Sequence, residues 1–280
     1  MGSPMVHNLL NAGYEVAVYT RTKSKAETVL YAGALWIDRI SDLAEHADIL
    51  CTMVGYPEDL ETVVTGKGGV LENIKQGSLL IDFTTSSPEL AERIAESASK
   101  KGVLSVDAPV SGGDIGAKGG TLAIMCGGSD EAFTNAVPVL QNLGDKIKHF
   151  GVAGSGQRVK MSNQILIAST MVGMVESMLY AERAGLEVSE VIELIGKGAA
   201  GCWSINQLGP RILENDWNPG FYIKHFLKDM RIALEDSKRM RLDLEGLALA
   251  KKFYSMTEAY DFENDGTQAL MKILRSLNAK

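Results

Sequence analysis

The sequence predicts an α/β amino-terminal domain of the Rossmann-like type, with its first strand missing, followed by an all-helical carboxyl-terminal domain. Two observations support this prediction. Strand-like apolar runs alternate with helical patterns through the first half of the chain, which is typical of a mostly parallel, doubly wound sheet. No strand-like run follows Gly156, and a glycine-rich stretch over 151–156 separates the two halves. We therefore predict domains at residues 1–152 and 153–280.

The strand-like runs are mostly continuous apolar segments, which indicates strands covered on both faces by helices. They are Tyr14–Tyr19, Ala47–Val54, Ser78–Phe83, Val103–Ala108, Thr121–Gly127 and Lys146–Phe150.

Helices are predicted between these strands where start and stop signals coincide. The clearest runs from Ser87 to Lys101: Ser87 suits the N-cap, Pro88 suits the first helical position, and Gly102 follows the last residue. A second helix is predicted over Asp130–Leu143.

Four helices are predicted in the second half. The longest, Gln157–Ala184, has apolar residues nearly all round, which predicts a helix buried on every side. The others are Ser189–Ile195, Ile223–Met240 and Leu247–Tyr260.

Composition excludes several classes of protein. A net charge of −7 argues against a nucleic-acid partner, because a protein that binds nucleic acid usually neutralises the phosphates with a basic face. The three cysteines are far apart and odd in number, which predicts a reducing, cytoplasmic location with each thiol packed as a small apolar group. The apolar run Met161–Val175 is too short for a membrane span, and the four histidines lack metal-ligand spacing, so no membrane contact and no metal are expected.

The first residues depart from a complete dinucleotide-binding pattern. A helix-like segment, Met5–Asn11, precedes the first strand-like run, whereas the Rossmann pattern places a strand and a glycine-rich turn before that helix. Only the last glycine of such a turn is matched, by Gly2. Judged by this motif alone, the signal for a dinucleotide is weak.

The end of the first strand-like run carries information about the cofactor. Arg21 and Thr22 follow it, with no acidic residue, and this is where the fold distinguishes a ribose hydroxyl from a 2′-phosphate. An arginine there favours NADP, with NAD still possible. The alternative is a solvated basic turn.

Several segments, in this order, resemble the β-hydroxyacid dehydrogenase family, which includes 3-hydroxyisobutyrate dehydrogenase and tartronate semialdehyde reductase. The resemblance covers essentially the whole chain. The matching segments are Gly2–Met5, Val18–Thr22, Asp82–Thr85, Asp107–Gly113, Gly151–Gln164 and Phe226–Met230.

The resemblance implies an active site between a Rossmann-like domain and a helical domain, and reversible NAD(P)-linked oxidation of short β-hydroxy acids to semialdehydes. It implies Thr85 and Lys228 near the cofactor and Asn163 on a substrate oxygen, although some relatives carry a second Asn where this chain has Gln164. The family's first strand and first two loop glycines are absent, which favours a start at an internal methionine of a longer protein.

The proton carrier predicted for this chemistry is Lys160, in the first turns of the long helix. An ordinary lysine is too basic for this task, but partial burial disfavours the ammonium form. Judged by the physical chemistry of lysine alone, a solvated side chain near a helix start is the stronger interpretation. The family resemblance of the residues around Lys160 reverses that preference.

Ser111, Gly112 and Gly113 follow a strand, and their hydroxyl and backbone N–H groups suit a substrate carboxylate. Met53 and Val54 are predicted at the adenine or ribose side of the cofactor, with strand core as the alternative. The nearby Gly116–Gly120 stretch is interpreted as a flexible turn.

Together these features predict an oxidoreductase that uses Lys160 as general acid and base on a small carboxylate substrate, in a homodimer or homotetramer. Two alternatives remain. An imine reductase is disfavoured by Lys160, since such relatives generally lack a lysine there. A non-catalytic dehydrogenase-like protein is supported by the missing first strand and opposed by the residues around Lys160. Tight NADPH binding to this chain would exclude it.

Overall fold

The computed structural model describes residues 1–279, and the chain divides into two units, residues 1–160 and residues from 161 onward. The first unit is α/β and the second is helical, as predicted. The long helix that begins at Ser155 continues from the first unit into the second.

The first unit contains eight strands. In chain order, β1 to β8 are Ala17–Val18, Leu35–Trp36, Ile49–Thr52, Leu79–Asp82, Leu104–Asp107, Val110–Ser111, Leu122–Gly128 and Gly144–His149. The first eight helices of the chain, α1 to α8, are Gly2–Asn11, Glu27–Tyr31, Ile40–His46, Pro57–Thr65, Val70–Asn73, Pro88–Ser99, Gly113–Gly119 and Asp130–Leu140.

Six of the strands form one sheet in the order β3-β4-β5-β7-β6, with β8 paired to β7. Strands β3, β4 and β5 are parallel, while β7 runs antiparallel to β5 and β6. Strands β1 and β2 pair in parallel in a separate two-stranded sheet. The carboxyl ends of β3, β4 and β5 therefore lie at one edge of the larger sheet.

Apolar side chains cover both faces of this sheet. Leu79 and Ile81 of β4 belong to one buried cluster, whereas Leu80 belongs to the other, because successive residues of a strand point to opposite faces. Each such side chain contributes about 1.5–3 kcal/mol when fully buried. This two-sided burial explains why β4 reads as a continuous apolar run.

Over residues 161–279, the regular secondary structure of the second unit is helical, apart from one isolated bridge between Tyr222 and Gly266. Its helices, α9 to α14, are Ser155–Arg183, Val188–Ile195, Trp203–Leu213, Ile223–Arg239, Glu245–Ser255 and Leu270–Leu277. Met171 and Met178 of α9 pack in its core with Phe226 of α12 and Tyr254 of α13.

The prediction of a long helix buried on every side is wrong. Leu166 and Tyr180 are 66% and 77% exposed, because only one side of α9 packs in the core. Composition suggests a uniformly apolar helix, but burial is set by the direction in which each residue points. By length and composition, α9 could cross a membrane, yet Met161, Met171 and Met178 belong to a packed core.

Four smaller features also differ from the predictions. The stretch over Gly116–Gly120 is not a flexible turn: it is helical as far as Gly119 and ends at Gly120, whose positive φ suits glycine. Cys51 is exposed rather than packed, since its strand alternates between open and buried positions. The helix predicted over Leu247–Tyr260 ends at Ser255, and a 3₁₀ turn follows. Helices α2, α3, α4, α5, α7, α11 and α14 were not predicted.

Candidate active site

Hydrogen bonds join the carboxyl ends of β3 and β4. Thr52 Oγ1 donates to Asp82 Oδ1 over 2.7 Å, and the Thr84 amide donates to the same oxygen over 3.0 Å. The Thr84 hydroxyl in turn accepts the amide of Val54 over 3.1 Å. Thr52, Asp82 and Thr84 are buried, so these bonds hold the loop that carries Met53 and Val54 against the loop that carries Thr85.

Asp107, at the carboxyl end of β5, binds the start of α9. Its two carboxylate oxygens accept the amides of Gly154 and Gln157 over 2.8 and 2.9 Å. Burial raises the pKa of Asp107 to about 7, and the nearby charge of Asp82 adds to the rise, while the two amide donors oppose it. The carboxylate thereby satisfies amides at a helix start that have no partner within the helix.

Lys160 lies in the second turn of α9 and is only 6% exposed, in agreement with the expectation of a desolvated amine. Its Nζ donates to the carbonyl oxygen of Val110 over 2.9 Å. Val110 is the residue directly before Ser111, so the fold brings the predicted proton carrier to the Ser111–Gly113 segment, although the two are about 50 positions apart in the chain.

Backbone conformation explains the two glycines of this segment. Gly112 has a φ of 128° and Gly113 a φ of 62°, both in the region that residues with a side chain rarely adopt. Gly112 is the N-cap of α7, and a Cβ there would lie 3.2 Å from Leu122. The turn therefore requires glycine whether or not a carboxylate binds, and its role toward substrate stays a prediction.

Gly2 and Met53, two of the predicted cofactor residues, lie close together at the carboxyl end of β3. Gly2 begins α1, and a Cβ there would lie 3.9 Å from the Cβ of Met53, so the helix start faces the end of β3. Arg21 and Thr22 are exposed beyond β1, and Arg21 Nη1 lies 3.0 Å from Asp59 Oδ1 of α4.

These donors fit a dinucleotide phosphate. The amides of a first helical turn and an exposed guanidinium both bind phosphate oxygens; Gly2 lies in a turn of the first kind, and Arg21 carries a guanidinium of the second kind. Met53 supplies an apolar surface, since it is only partly buried against the sheet core.

The predicted residues of the second unit form a hydrogen-bonded series. Asn163 Nδ2 donates to Gln164 Oε1 over 2.7 Å, and Gln164 Nε2 donates to Asp229 Oδ2 over 2.6 Å. The other carboxylate oxygen of Asp229 lies 3.1 Å from Lys228 Nζ. Lys228 and Asp229 are 5% and 1% exposed, so this ion pair is buried.

Gln164, which stands where some relatives carry a second asparagine, is therefore held by Asp229. Asn163 is half-buried, and its side-chain amide takes part in the series through its bond to Gln164.

Sequence reasoning missed three residues of these arrangements: Asp107, Gln157 and Asp229. Each lies within a segment that carries the family resemblance, but its contacts reach 47 to 73 positions along the chain, and no local spacing reveals them. One available signal was a carboxylate at the end of an apolar strand, which describes both Asp82 and Asp107. Over residues 1–279, no three His, Cys, Asp or Glu side chains form a group that could hold a metal ion.

Two family models match the chain, one in each unit. The NAD-binding domain of 6-phosphogluconate dehydrogenase matches residues 1–151. The NAD-binding domain of NADP-dependent 3-hydroxyisobutyrate dehydrogenase matches residues 154–274. The chain belongs to the β-hydroxyacid dehydrogenase family.

Individual relatives agree with this assignment. An uncharacterised oxidoreductase of Bacillus subtilis is 52% identical over 98% of this chain and 95% of its own length. The 3-hydroxyisobutyrate dehydrogenase of Pseudomonas aeruginosa is 33% identical over 95% of this chain and 92% of its own. The solved structure of Mycobacterium tuberculosis 3-hydroxyisobutyrate dehydrogenase with L-serine superimposes with a TM-score of 0.90 at 29% identity, over 98% of this chain and 96% of that chain.

This β-hydroxyacid dehydrogenase is an NAD(P)-dependent enzyme, and the predicted family, fold and class of activity are confirmed. The imine-reductase alternative is a distant one. The Myxococcus stipitatus imine reductase in complex with NADP⁺ is 19% identical over 98% of this chain and 96% of its own, with a TM-score of 0.65, and this likeness shows a shared fold alone.

Proposed function

We propose that this dehydrogenase interconverts a small β-hydroxy acid and its semialdehyde with NADP(H), and that Lys160 is the general acid and base. The observation that supports it most is the buried Lys160 amine, bound to the carbonyl of Val110 beside the Ser111–Gly113 turn. The bound nicotinamide supplies or accepts the hydride, and the residues of the chain must orient the substrate and move one proton.

In the oxidative direction, neutral Lys160 accepts the proton of the substrate hydroxyl. The hydride leaves the carbon atom that bears this hydroxyl. In the reductive direction, its ammonium form returns that proton to the new alkoxide oxygen. A proton carrier of this kind must lie within hydrogen-bond reach of the reacting oxygen.

The substrate carboxylate is proposed to bind the Ser111 hydroxyl and the amides of Gly112 and Gly113. Glycine at both positions has no side chain that would hinder the approach of a ligand to these amides. Asn163, three residues beyond Lys160 in α9, is proposed to hold a substrate oxygen through its neutral amide.

A turnover assay tests the reaction. With NADPH, the full chain is expected to reduce small semialdehydes that bear a carboxylate, such as succinic or tartronic semialdehyde, and the loss of NADPH absorbance reports the rate. Methyl esters of the same aldehydes, which lack the charge, are the matched control and are expected to react more slowly. No turnover with any semialdehyde, or faster turnover of cyclic imines, would overturn the assignment.

The preference for NADP rests on Arg21, and a pair of variants tests it. Removing the guanidinium in Arg21→Ala is expected to weaken NADPH binding by about tenfold, the equivalent of one charge-assisted hydrogen bond, with little change for NADH. Asp59→Asn removes a carboxylate that pairs with Arg21, so NADPH is expected to bind several-fold more tightly. Fluorescence titration of both cofactors measures this. Equal weakening of NADPH and NADH in Arg21→Ala would refute the assignment.

A further inference from the structure

Gln157 connects α9 to the loop after β4. Its Nε2 donates to the carbonyl oxygen of Thr84 over 2.8 Å, and its Oε1 accepts the amide of Ser86 over 2.9 Å. These two backbone groups flank Thr85. A single side-chain amide thus pairs with the backbone on both sides of Thr85, much as a neighbouring strand would.

Both bonds are sheltered from water. Gln157, Thr84 and Ser86 are each fully buried. A buried amide or carbonyl that loses its partner bears its full desolvation cost. Breaking these bonds is therefore unfavourable, and they hold the loop in place.

The turn of α9 that carries Gln157 is itself held firmly. Its backbone amide donates to Asp107 over 2.9 Å. A Cβ at Gly156 would collide with the carbonyl oxygen of Met125, so the helix start lies directly against the sheet. Lys160 follows Gln157 by three residues in the same helix. The loop around Thr85 and the Lys160 amine therefore share one rigid support.

We propose that Gln157 is a positioning residue, which holds Thr85 at the cofactor edge of the sheet in a fixed place relative to Lys160. In the NAD-binding unit, this edge is where a doubly wound fold binds its ligand. The proposal rests on the proposed role of Lys160. Gln157 itself touches neither the reacting atoms nor the proton carrier's amine; it acts through the loop and the helix that it joins.

Two substitutions at position 157 distinguish the effect of the hydrogen bonds from the effect of side-chain volume. Gln157→Leu fills similar space and removes both bonds. Gln157→Glu keeps an acceptor for the Ser86 amide; only when protonated does it also donate to the Thr84 carbonyl. The matched control is Arg158→Ala, which breaks the 2.8 Å bond from the next residue to Glu92 of α6 and keeps the Gln157 side chain that bonds Thr84 and Ser86.

Hydrogen exchange measures the loop directly. Gln157→Leu is expected to speed exchange of the Ser86 amide, whereas Arg158→Ala leaves it at the wild-type rate. NADPH is expected to bind several-fold more weakly to Gln157→Leu. Its kcat for the semialdehyde is expected to fall by about 10- to 100-fold with a KM within threefold of wild type, since small misplacements mainly affect the reacting geometry.

The glutamate variant gives a signature that a purely structural role does not produce. Its NADPH affinity and kcat are expected to recover relative to wild type as the pH falls and the carboxyl group gains its proton. Wild-type exchange at Ser86 and unchanged NADPH binding in Gln157→Leu would overturn the proposal. If Gln157→Leu does not fold, absence of recovery in Gln157→Glu at low pH would overturn it. Hydrogen exchange at Ser86 and NADPH affinity test the positioning role of Gln157 even if the wild-type protein reduces no semialdehyde.

Discussion

Replacing Lys160 by methionine is expected to lower kcat by about 10²- to 10⁴-fold, the usual contribution of a positioned proton carrier. Methionine is nearly as long as lysine and apolar, so it is tolerated at a site where the native side chain is only 6% exposed. The substitution leaves the carbonyl of Val110 without the Lys160 donor, at a cost of about 1 kcal/mol in stability. NADPH affinity is expected to stay within threefold of wild type.

A control and a rescue make the Lys160 result specific. Lys100→Met removes an exposed lysine that pairs with Glu96 on α6, and its kcat is expected to match wild type. Small primary amines added to Lys160→Met are expected to restore part of the rate, because they can carry the same proton. Single-turnover measurements with NADPH separate the chemical step from product release. A Lys160→Met enzyme that keeps more than a third of the wild-type rate would show that another group moves the proton.

Elements of the fold were predictable where a local sequence pattern, such as an apolar run or an N-cap residue, indicates them. The apolar runs over Ser78–Phe83 and Val103–Ala108 predicted β4 and β5, because both faces of these strands are buried. Ser87 was predictable as an N-cap, and its hydroxyl oxygen accepts the amide of Leu90. Short helices such as α5 were not predicted, since four residues carry no measurable periodicity.

The site was predictable only in part. Lys160 and Ser111 were both predicted, but the group that brings them together is the backbone carbonyl of Val110, and patterns of side chains do not reveal backbone contacts. Gln164 was weighed as a substitute for asparagine. Its bond to Asp229 crosses 65 positions and depends on how α9 packs against α12. Contacts of this kind follow from tertiary packing, which single-sequence patterns do not encode.

Lys228 offers the largest expected effect on stability. Its Nζ lies 3.1 Å from Asp229 Oδ1, and their side chains are 4% and 1% exposed. Lys228→Met removes the cation and leaves a buried carboxylate, so the free energy of unfolding of the helical unit is expected to fall by about 3–5 kcal/mol. Lys197→Met breaks an exposed pair with Glu193 and is expected to cost less than about 0.5 kcal/mol. Trp217 packs against the core of this unit, and its fluorescence in urea follows the unfolding.

A second substitution separates the electrostatic cause from lost packing. In the double variant Lys228→Met, Asp229→Asn, the buried charge is gone, while the new amide oxygen can still accept the bond from Gln164. Most of the lost stability is therefore expected to return. If the double variant is no more stable than Lys228→Met, the cation matters through its packed hydrocarbon stem rather than its charge.

The same variants test whether Lys228 also binds cofactor, as the family resemblance implies. A ligand that binds the native state stabilises it by an amount set by its affinity, so NADPH raises the melting temperature of wild type. If Lys228 contacts the cofactor, the double variant regains its stability but not this NADPH-dependent rise. A full rise in the double variant would restrict Lys228 to holding Asp229 in place. Because Asp229 holds Gln164 next to Asn163, that result would make Lys228 a support of the substrate side instead.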